Sequence, residues 1–526
     1  MNLKVNNLPE DPAVLKQIVA ELIGEYKRSQ EKIQHLEEYV RLLQKEIFGR
    51  KSEKHSLPDR NQLLLFDQLV EEASQADDGV PREIPVAGHV RKKRGRKPLP
   101  ADLPRVEIIH DLEESEKRCP CGGELKRIGE EVSEKLDYVP AILRVERHIR
   151  YKYACPACEG VEDDGPTVKI AAAPPQLIEK SIATGGLVAH IVCSKFEDAL
   201  PLYRQEKIFA RLGVDLPRST MCTWLVKVAE KHRRLTALLL SEIRGGPVVN
   251  ADETTVQVLQ EPERADTSKS YMWLFRGGDP QHPALVFQYH PTRSGKVPLA
   301  VLSGYRGYVQ CDGYNGYDAL GREKDVTLVG CWAHARRKFD KVIKARGGQK
   351  KEGTAEKAVE YIGKLYHVEK KARQIELDAD GIRQLRRQES KPVLDEFKDW
   401  LEAKLPLTPP KGLLGTAIRY TLNNWERLVR YLEDGRLRPD NNLAENAIRP
   451  FVIGRKNWLF AGHPKGAEAA AFYYSLIETA KANGLRPYDY FRYLFDKLPL
   501  AETKKDYRKL LPQNLNQQMI TPARPA

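Results

Sequence analysis

The chain has 526 residues, 41% hydrophobic and 30% charged, with 86 Lys and Arg against 73 Asp and Glu, a net charge of +13. These proportions argue against a disordered, collagenous or membrane-spanning chain, and at roughly 150 residues per domain the length accommodates three or four domains. The basic balance points to a polyanionic partner, most simply nucleic acid. No apolar run approaches the roughly 18 residues of a membrane span. The opening MNLKVNNLPEDP lacks the apolar core of a signal peptide, so the expected compartment is the cytosol, where thiols stay reduced.

The first fifty residues carry a heptad repeat. Leu15, Leu22, Ser29, Leu36 and Leu43 recur every seventh residue, with Val19, Tyr26, Ile33, Val40 and Ile47 at the complementary positions. Branched residues at a and Leu at d favour a parallel two-stranded coiled coil, so a homo-oligomer, at least a dimer, is expected. The bland alternative is an amphipathic helix packed on its own chain. Residues 51–105 are polar and rich in Pro and charge, and they read as a linker. Within them, Arg91, Lys92, Lys93, Arg94, Arg96 and Lys97 surround Gly95. An Arg-Gly-Arg core of this kind is similar to an AT-hook, which lays Arg into a narrow minor groove. A basic linker that touches phosphates without preference is the equal alternative.

From Leu143 to Tyr153 apolar and polar residues largely alternate, which predicts a half-buried strand running into Cys155 and Cys158. With Cys119 and Cys121 these make a zinc-ribbon pattern, in which four thiolates hold Zn²⁺ tetrahedrally. A unit of about sixty residues has little core, so a structural metal makes physical sense. The first knuckle is Cys-x-Cys, one residue short, and a relic ribbon without metal is the competing reading. Further on, a helix over 198–212, a Gly213 turn and a second helix from Arg218 outline a helix-turn-helix, with Ser219 or Thr220 available to cap the second helix. Such a helix enters the major groove in a DNA reader. An ordinary helical hairpin fits the same outline.

Beyond 245 strands take over. The segment 246–255 reads as a strand ending in acids, and 271–275 and 284–289 as two more. A helical stretch follows at 296–303, then strands at 307–314 and 327–331. Three strands, a helix and two further strands give the order of an RNase H-like α/β core. In that order the first and fourth strands are neighbours, which brings Asp252 beside Asp312. Glu445 is the candidate third acid, in the early turns of a helix that Asp440 or Asn441 can cap. About a hundred mostly helical residues before it read as an insertion. Strand alternation sends Glu253 to the face opposite Asp252, which marks it as a decoy. Hard cations such as Mg²⁺ (or Mn²⁺) prefer carboxylate oxygens. Two such ions, about 4 Å apart, clamp the attacking and leaving oxygens of a phosphoryl displacement.

Together these segments predict a multidomain α/β protein: an RNase H-like catalytic core with a helical insertion, preceded by a coiled coil, a zinc-ribbon-like unit and a helical, helix-turn-helix-like domain. The boundaries read as coiled coil 1–52, linker 53–105, zinc-ribbon-like unit 106–168 and helical domain 169–244. The core occupies 245–340 and 431–482 around the insertion 341–430, and 483–526 form a C-terminal element and tail.

The segments LLQKEIFGRKSEK (43–54), RKKRGRKPLPADLPR (91–105), NADET (250–254), CDGYNGY (311–317), CWAHARRKF (331–339) and NNLAENAIRPFVIGRKNWLFAGHPKGAEAAA (441–471), with the Cys pairs, carry a resemblance. Over nearly its whole length the chain resembles the large transposase of the insertion sequence 66 family. The resemblance implies an acidic triad at Asp252, Asp312 and Glu445, and double-stranded DNA, both element ends and target, as partner. It also implies small accessory proteins of the same element and a bacterial, nucleoid-associated location. Cys331 and His334 match a Cys-x-x-His signature near the active site of related transposases, and a structural role for the pair is the stronger reading. Arg449 shares a helical face with Glu445, as ion-pair partner or phosphate contact. Arg455 and Lys456 add a basic cluster beside Trp458, and Arg218 opens the second helix of the helix-turn-helix. An inactive, regulatory DNA-binding derivative is the alternative function, and a plain metal-dependent nuclease a third.

Overall fold

The computed structural model describes residues 11–48, 82–86, 89–93, 143–149, 152–154, 168–170, 174–345 and 353–521. The chain forms two units, Arg60–Ile170 and the remainder.

In the smaller unit, β1 (Arg82–Val86) and β2 (His89–Lys93) form an antiparallel hairpin within the stretch expected to be linker. Its register sets Glu83 opposite Lys92 and Ile84 opposite Arg91. β3 (Lys152–Ala154) pairs antiparallel with β4 (Val168–Ile170). Of the strand expected from 143, Lys152–Ala154 is the paired part among the described residues. Val145 and Ile149 are exposed, and 143–149 join no ladder among the described residues. Alternation marks what a strand can bury, but burial needs a partner face. Arg91, Lys92 and Lys93 lie on β2, whereas Arg94, Arg96, Lys97 and the four cysteines of the zinc pattern lie outside the described residues.

In the larger unit, α1 (Pro12–Phe48) is one continuous helix that contacts α7 (below). Its heptad residues Leu22, Tyr26, Ile33, Leu36 and Val40 are exposed. A helical layer follows: α2 (Gly185–Phe196), α3 (Leu202–Arg211), α4 (Arg218–Lys231) and α5 (Arg234–Gly245). Thr184 caps α2 by accepting the Leu187 N–H at 3.2 Å. The expected Ser or Thr cap of α4 is absent. Pro217 occupies the N-cap, and Glu206 of α3 accepts the Arg218 N–H at 2.9 Å. A carboxylate there also suits the positive helix end. Met221, Trp224, Leu225, Val228 and Ala229 bury one face of α4, and Arg218 is exposed at its start.

The sheet is built from β5 (Val248–Val258), β6 (Lys269–Gly278), β7 (Pro283–His290), β8 (Gly307–Gln310) and β9 (Val326–Val329), with α6 (Lys296–Val301) between β7 and β8. The order is β7-β6-β5-β8-β9. The first three strands are antiparallel, while β8 and β9 run parallel to β5. β5 continues past the acids expected at its end because β6 pairs with it out to Gln257.

α7 (Trp332–Ala345) leads into α8 (Thr354–Gln374), α9 (Ala379–Leu385), α10 (Lys391–Lys404), α11 (Leu413–Asn423) and α12 (Trp425–Val429). These helices hold a core of their own around Trp332, Phe339, Leu365, Phe397 and Ile418. The chain returns as α13 (Asn442–Trp458), β10 (Phe460–Ala461), α14 (Pro464–Ala482) and α15 (Pro487–Lys497). α14, buried from Ala467 almost throughout, closes the β7 edge of the sheet. Ser475 Oγ accepts the Phe287 N–H at 2.8 Å and Thr479 Oγ1 the Leu285 N–H at 3.0 Å. An uncovered edge strand would expose unpaired N–H and C=O groups to other chains. Replacing both hydroxyls, Ser475→Ala with Thr479→Val, strands two buried N–H groups. The expected cost is about 1–3 kcal/mol for each, read as a lower urea midpoint by tryptophan fluorescence.

Candidate active site

β5 brings in Asp252, the chain leaving β8 brings Asp312, and the first turn of α13 brings Glu445. These three elements are tied by buried amides. Asn250 Nδ2 donates to Gln310 Oε1 and to Asn441 Oδ1, both at 3.1 Å. Asn441 Nδ2 donates to the Ala251 carbonyl at 2.8 Å. Gln310 Nε2 reaches the carbonyls of Arg438 at 2.6 Å and Gly330 at 3.3 Å. Asn441 is the N-cap residue of α13 but makes no side-chain cap, because its amide is spent on β5. Asp440 Oδ1 takes the Asn442 N–H instead, at 3.1 Å.

The pairing of β5 with β8 stops at Asn250, and β10 joins the same edge only at Gln257. Between these points the edge of β5 is open, and α13 lies against it. A cavity of about 370 Å³ opens there, lined by Asp252, Glu253, Asp312, Glu445, His334, Arg293, Arg337 and Arg449, among others. A larger cavity of about 930 Å³ between α4, β7 and α14 shares none of these residues. Two of its acids are ion-paired, Glu230 with Lys465 at 3.0 Å and Glu179 with Lys231 at 3.6 Å.

Asp252 is held well above the usual carboxylate range, first by burial and then by the charges of Glu253, Glu445 and Asp312. The Glu253 N–H, bonded to Asp252 Oδ1 at 2.9 Å, opposes this only in part. Asp312 Oδ1 accepts the Tyr314 N–H at 2.9 Å, an Asx turn that fixes the carboxylate at the strand exit. Glu445 Oε2 pairs with Arg337 at 2.9 Å, and its Oε1 lies 3.4 Å from His334 Nδ1. That Oε1 is buried and has no hydrogen-bond partner among the described residues. Clustered carboxylates with an unsatisfied buried oxygen fit a hard divalent cation, whose charge would offset their repulsion. Burial lowers the His334 pKa, opposed by Glu445 and reinforced by Arg337, which favours the neutral imidazole.

Cys331 Sγ, a His334 nitrogen and a Glu445 oxygen lie within 4.8 Å of one another. The Cys331 thiol is pushed up by burial and then by the Glu445 and Asp440 charges, so it stays protonated. Its Sγ accepts the Asn441 N–H at 3.2 Å and so holds the chain entering α13.

Of the residues singled out in the sequence, Asp252, Asp312, Glu445, His334 and Arg449 share the cavity. Arg455 turns instead to the β5 hydroxyls, Thr255 at 3.1 Å and Thr254 at 3.3 Å. Trp458 packs edge-on to Phe451, and Lys456 is exposed. Arg218 does not line the cavity. Glu253, expected on the face opposite Asp252, nonetheless lines the same cavity. The segment leaving β8 covers Glu253: Tyr317 OH donates to its Oε2 at 2.5 Å. Arg293 and Arg337 were not picked out from the sequence. Arg337 follows His334 by three residues, a same-face helical spacing that was available as a signal, whereas Arg293 sits in no motif.

The fold and site define a mixed α/β protein in which acids from three separate elements meet in one Arg-rimmed cavity. The family model described as "Transposase IS66 family" matches residues 180–469, more than half of the chain. Three more match in order: a "Transposase C of IS166 homeodomain" at 35–108, a "zinc-finger binding domain of transposase IS66" at 116–159 and an "IS66 C-terminal element" at 475–513. Among relatives, the uncharacterized protein y4jD of Sinorhizobium fredii (strain NBRC 101917 / NGR234) is 35% identical over 98% of each chain. The uncharacterized protein y4qI of the same strain is 32% identical over 95% of this chain and 93% of its own. The chain belongs to the IS66 transposase family. Among the described residues, no helix is long and apolar enough to cross a membrane.

A carboxyl whose pKa is higher folded than unfolded favours folding only while it is protonated. Stability therefore falls as pH rises from the unfolded aspartate value, about 3.9, toward the raised folded value of Asp252. Asp252→Asn removes that loss. In EDTA at neutral pH the variant should melt above the wild type. Below the unfolded aspartate pKa the two should converge. Mg²⁺ should raise the melting temperature of the wild type more than that of the variant. Differential scanning calorimetry at two pH values reads all three.

Proposed function

We propose that the chain is an active DNA transposase that binds the terminal inverted repeats of its insertion sequence, cleaves one strand at each end and transfers it to target DNA. The observation that carries this reading is the meeting of Asp252, Asp312 and Glu445 in one cavity rimmed by Arg293, Arg337 and Arg449. The strand order β7-β6-β5-β8-β9, three antiparallel strands followed by two parallel ones, supports an RNase H-like core. The three carboxylates would hold one or two Mg²⁺ (or Mn²⁺) ions, which supply Lewis-acid stabilisation to the attacking and leaving oxygens.

The chain's own groups do the rest. The arginines draw the polyanion in and orient it, and Asp252, whose proton burial retains, would be held ionised where a cation is bound. Arg337, paired with Glu445 Oε2, steadies that carboxylate. In cleavage, a water oxygen forms a bond to phosphorus, the bond to O3′ breaks, and O3′ leaves with a proton as a hydroxyl. In transfer, that 3′-hydroxyl attacks a target phosphodiester, joining element to target and releasing the target's own O3′.

The N-terminal segments supply recognition and pairing in this reading. The exposed heptad stripe of α1 is suited to a parallel dimer, which brings two ends together. The α3–α4 pair, with Arg218 exposed, and the basic 91–97 segment bind DNA, and Cys119, Cys121, Cys155 and Cys158 hold Zn²⁺.

Asp252→Asn, Asp312→Asn and Glu445→Gln should each cut strand cleavage by roughly a thousandfold, the upper scale on which loss of one charge-stabilising group is measured. End binding in a gel-shift assay should survive. A wild type that binds but never cleaves in Mg²⁺ or Mn²⁺ would make the chain a regulatory binder.

The purified protein should carry about one zinc ion per chain, with Zn–S distances near 2.3 Å. Cys155→Ser should release it. Elemental analysis and X-ray absorption measure both, and a zinc-free, stably folded wild type would reduce the ribbon to a relic.

A further inference from the structure

Glu253 sits next to the first acid of the proposed triad, yet its bonds lead away from a cation. Its side chain is 2% exposed. Oε1 accepts from Arg293 Nε at 2.7 Å and Nη2 at 2.5 Å, and Oε2 accepts from Tyr317 OH at 2.5 Å. Both oxygens are thus engaged by donors, whereas Glu445 keeps one buried oxygen open.

Arg293 is built into its place from several sides. Its guanidinium carbon lies 3.7 Å from the centre of the Tyr314 ring. Tyr314 OH donates back to the Arg293 carbonyl at 2.5 Å, and Tyr314 N–H holds Asp312. The two loops are pressed together: a Cβ on Gly295 would come within 2.3 Å of the Gly316 carbonyl oxygen, a contact only glycine permits. The loop that carries Arg293 is therefore clasped to the loop that carries Asp312. Arg293 nonetheless remains 39% exposed on the cavity wall, and Nη1 takes no part in the bonds to Glu253.

A guanidinium whose inner edge is fixed by a buried carboxylate and whose face rests on a ring has little rotamer freedom left to lose. Its remaining donor suits a phosphate oxygen. We infer that Arg293 contacts a DNA phosphate at the cleavage site, and that Glu253, Tyr314 and Tyr317 hold it there, with Glu253 a positioning residue rather than a fourth metal ligand. This rests on the strand-cleavage reading above.

The test uses the full-length chain, a labelled duplex taken from the DNA flanking the reading frame, and the variants Arg293→Ala, Arg293→Lys and Glu253→Gln. Three quantities are read: the slope of log affinity against log salt, the single-turnover cleavage rate, and the Mg²⁺ concentration for half-maximal rate. Removing one phosphate contact should make the salt slope of Arg293→Ala shallower by about 0.9. Its cleavage rate should fall by roughly a hundredfold. Arg293→Lys keeps the charge and guards against a folding defect. It should retain most of the slope while losing rate, because an ammonium cannot take the forked bond to Glu253. Glu253→Gln should slow cleavage with its half-saturating Mg²⁺ unchanged, and combined with Arg293→Ala it should add little. An unchanged slope and rate in a folded Arg293→Ala would overturn the assignment. So would a tenfold rise in half-saturating Mg²⁺ for Glu253→Gln, which would make it a metal ligand. A wild type that binds the duplex without cleaving it would instead sink the strand-cleavage reading and leave the salt slope to decide Arg293.

Discussion

The Asn250 amide donates at once to Gln310 and Asn441, and through these bonds the first strand, the fourth strand and the entry to α13 hold one another. None of the three residues is charged. Each precedes an acid by a short, fixed span: Asn250 by two residues, Gln310 by two and Asn441 by four. On a strand a span of two returns to the same face, so on β5 the amide and the acid form successive rows, while Asp312 follows Gln310 just beyond the end of β8. This arrangement answers an electrostatic problem. Two carboxylates about 5 Å apart repel by about 3 kcal/mol at an effective dielectric near 20, so converging acids push their elements apart. Each buried amide bond that would be left unsatisfied costs about 1–3 kcal/mol to break. Neutral, directional bonds one layer below the acids can hold the elements against the repulsion, which opposite charges could do only by cancelling the field the site needs.

The sheet's covered edges explain why the cavity forms where it does. β7 is sealed by the hydroxyls of α14. On the other side, Arg430 Nη1 donates to the Leu328 carbonyl at 2.9 Å and the Gly330 N–H donates to Arg427, so β9 is sealed by the α12 region. The remaining gap is internal, along β5 between its partners β8 and β10. Backbone polar groups exposed there need other partners, and the Ala251 carbonyl takes Asn441. The gap admits side chains from α13, α7 and both loops, and so it gathers eight charged or titratable groups in one place.

The reading of the sequence was sound where local pattern and fold agree. The succession of three strands, a helix and two strands along the chain followed from apolar runs and their spacing. That Asp252 and Asp312 share one cavity was legible because the order of strands makes their strands neighbours. That Glu253 also lines the cavity was not legible, because the segment after β8 that brings Tyr317 to its carboxylate is more than sixty residues away in sequence. The α4 cap was misread because its acceptor, Glu206, comes from the preceding helix twelve residues earlier. Arg293 carries no local signal at all. Only the folded chain brings it within reach of Glu253, forty residues earlier in sequence. The hairpin at 82–93 depends on a register that composition hides.

The helical insertion bears on the site through α7. One face of that helix, Trp332, Ala335, Phe339 and Val342, is buried, with Trp332 and Phe339 in the core of the insertion. The other carries His334 and Arg337 to Glu445. Trp332 ties the two together: its ring N–H donates to the Leu428 carbonyl and its backbone N–H to Pro439, close before α13. Buried Arg386 makes a second tie, with Glu369 at 2.7 Å and the carbonyls of Tyr431, Asp434 and Leu437. The segment that leads into α13 is thereby built on the insertion's core. α7, packed on the helices that follow it, supplies His334 and Arg337 to the cavity wall, so the partners of Glu445 rest on helical packing beside the sheet.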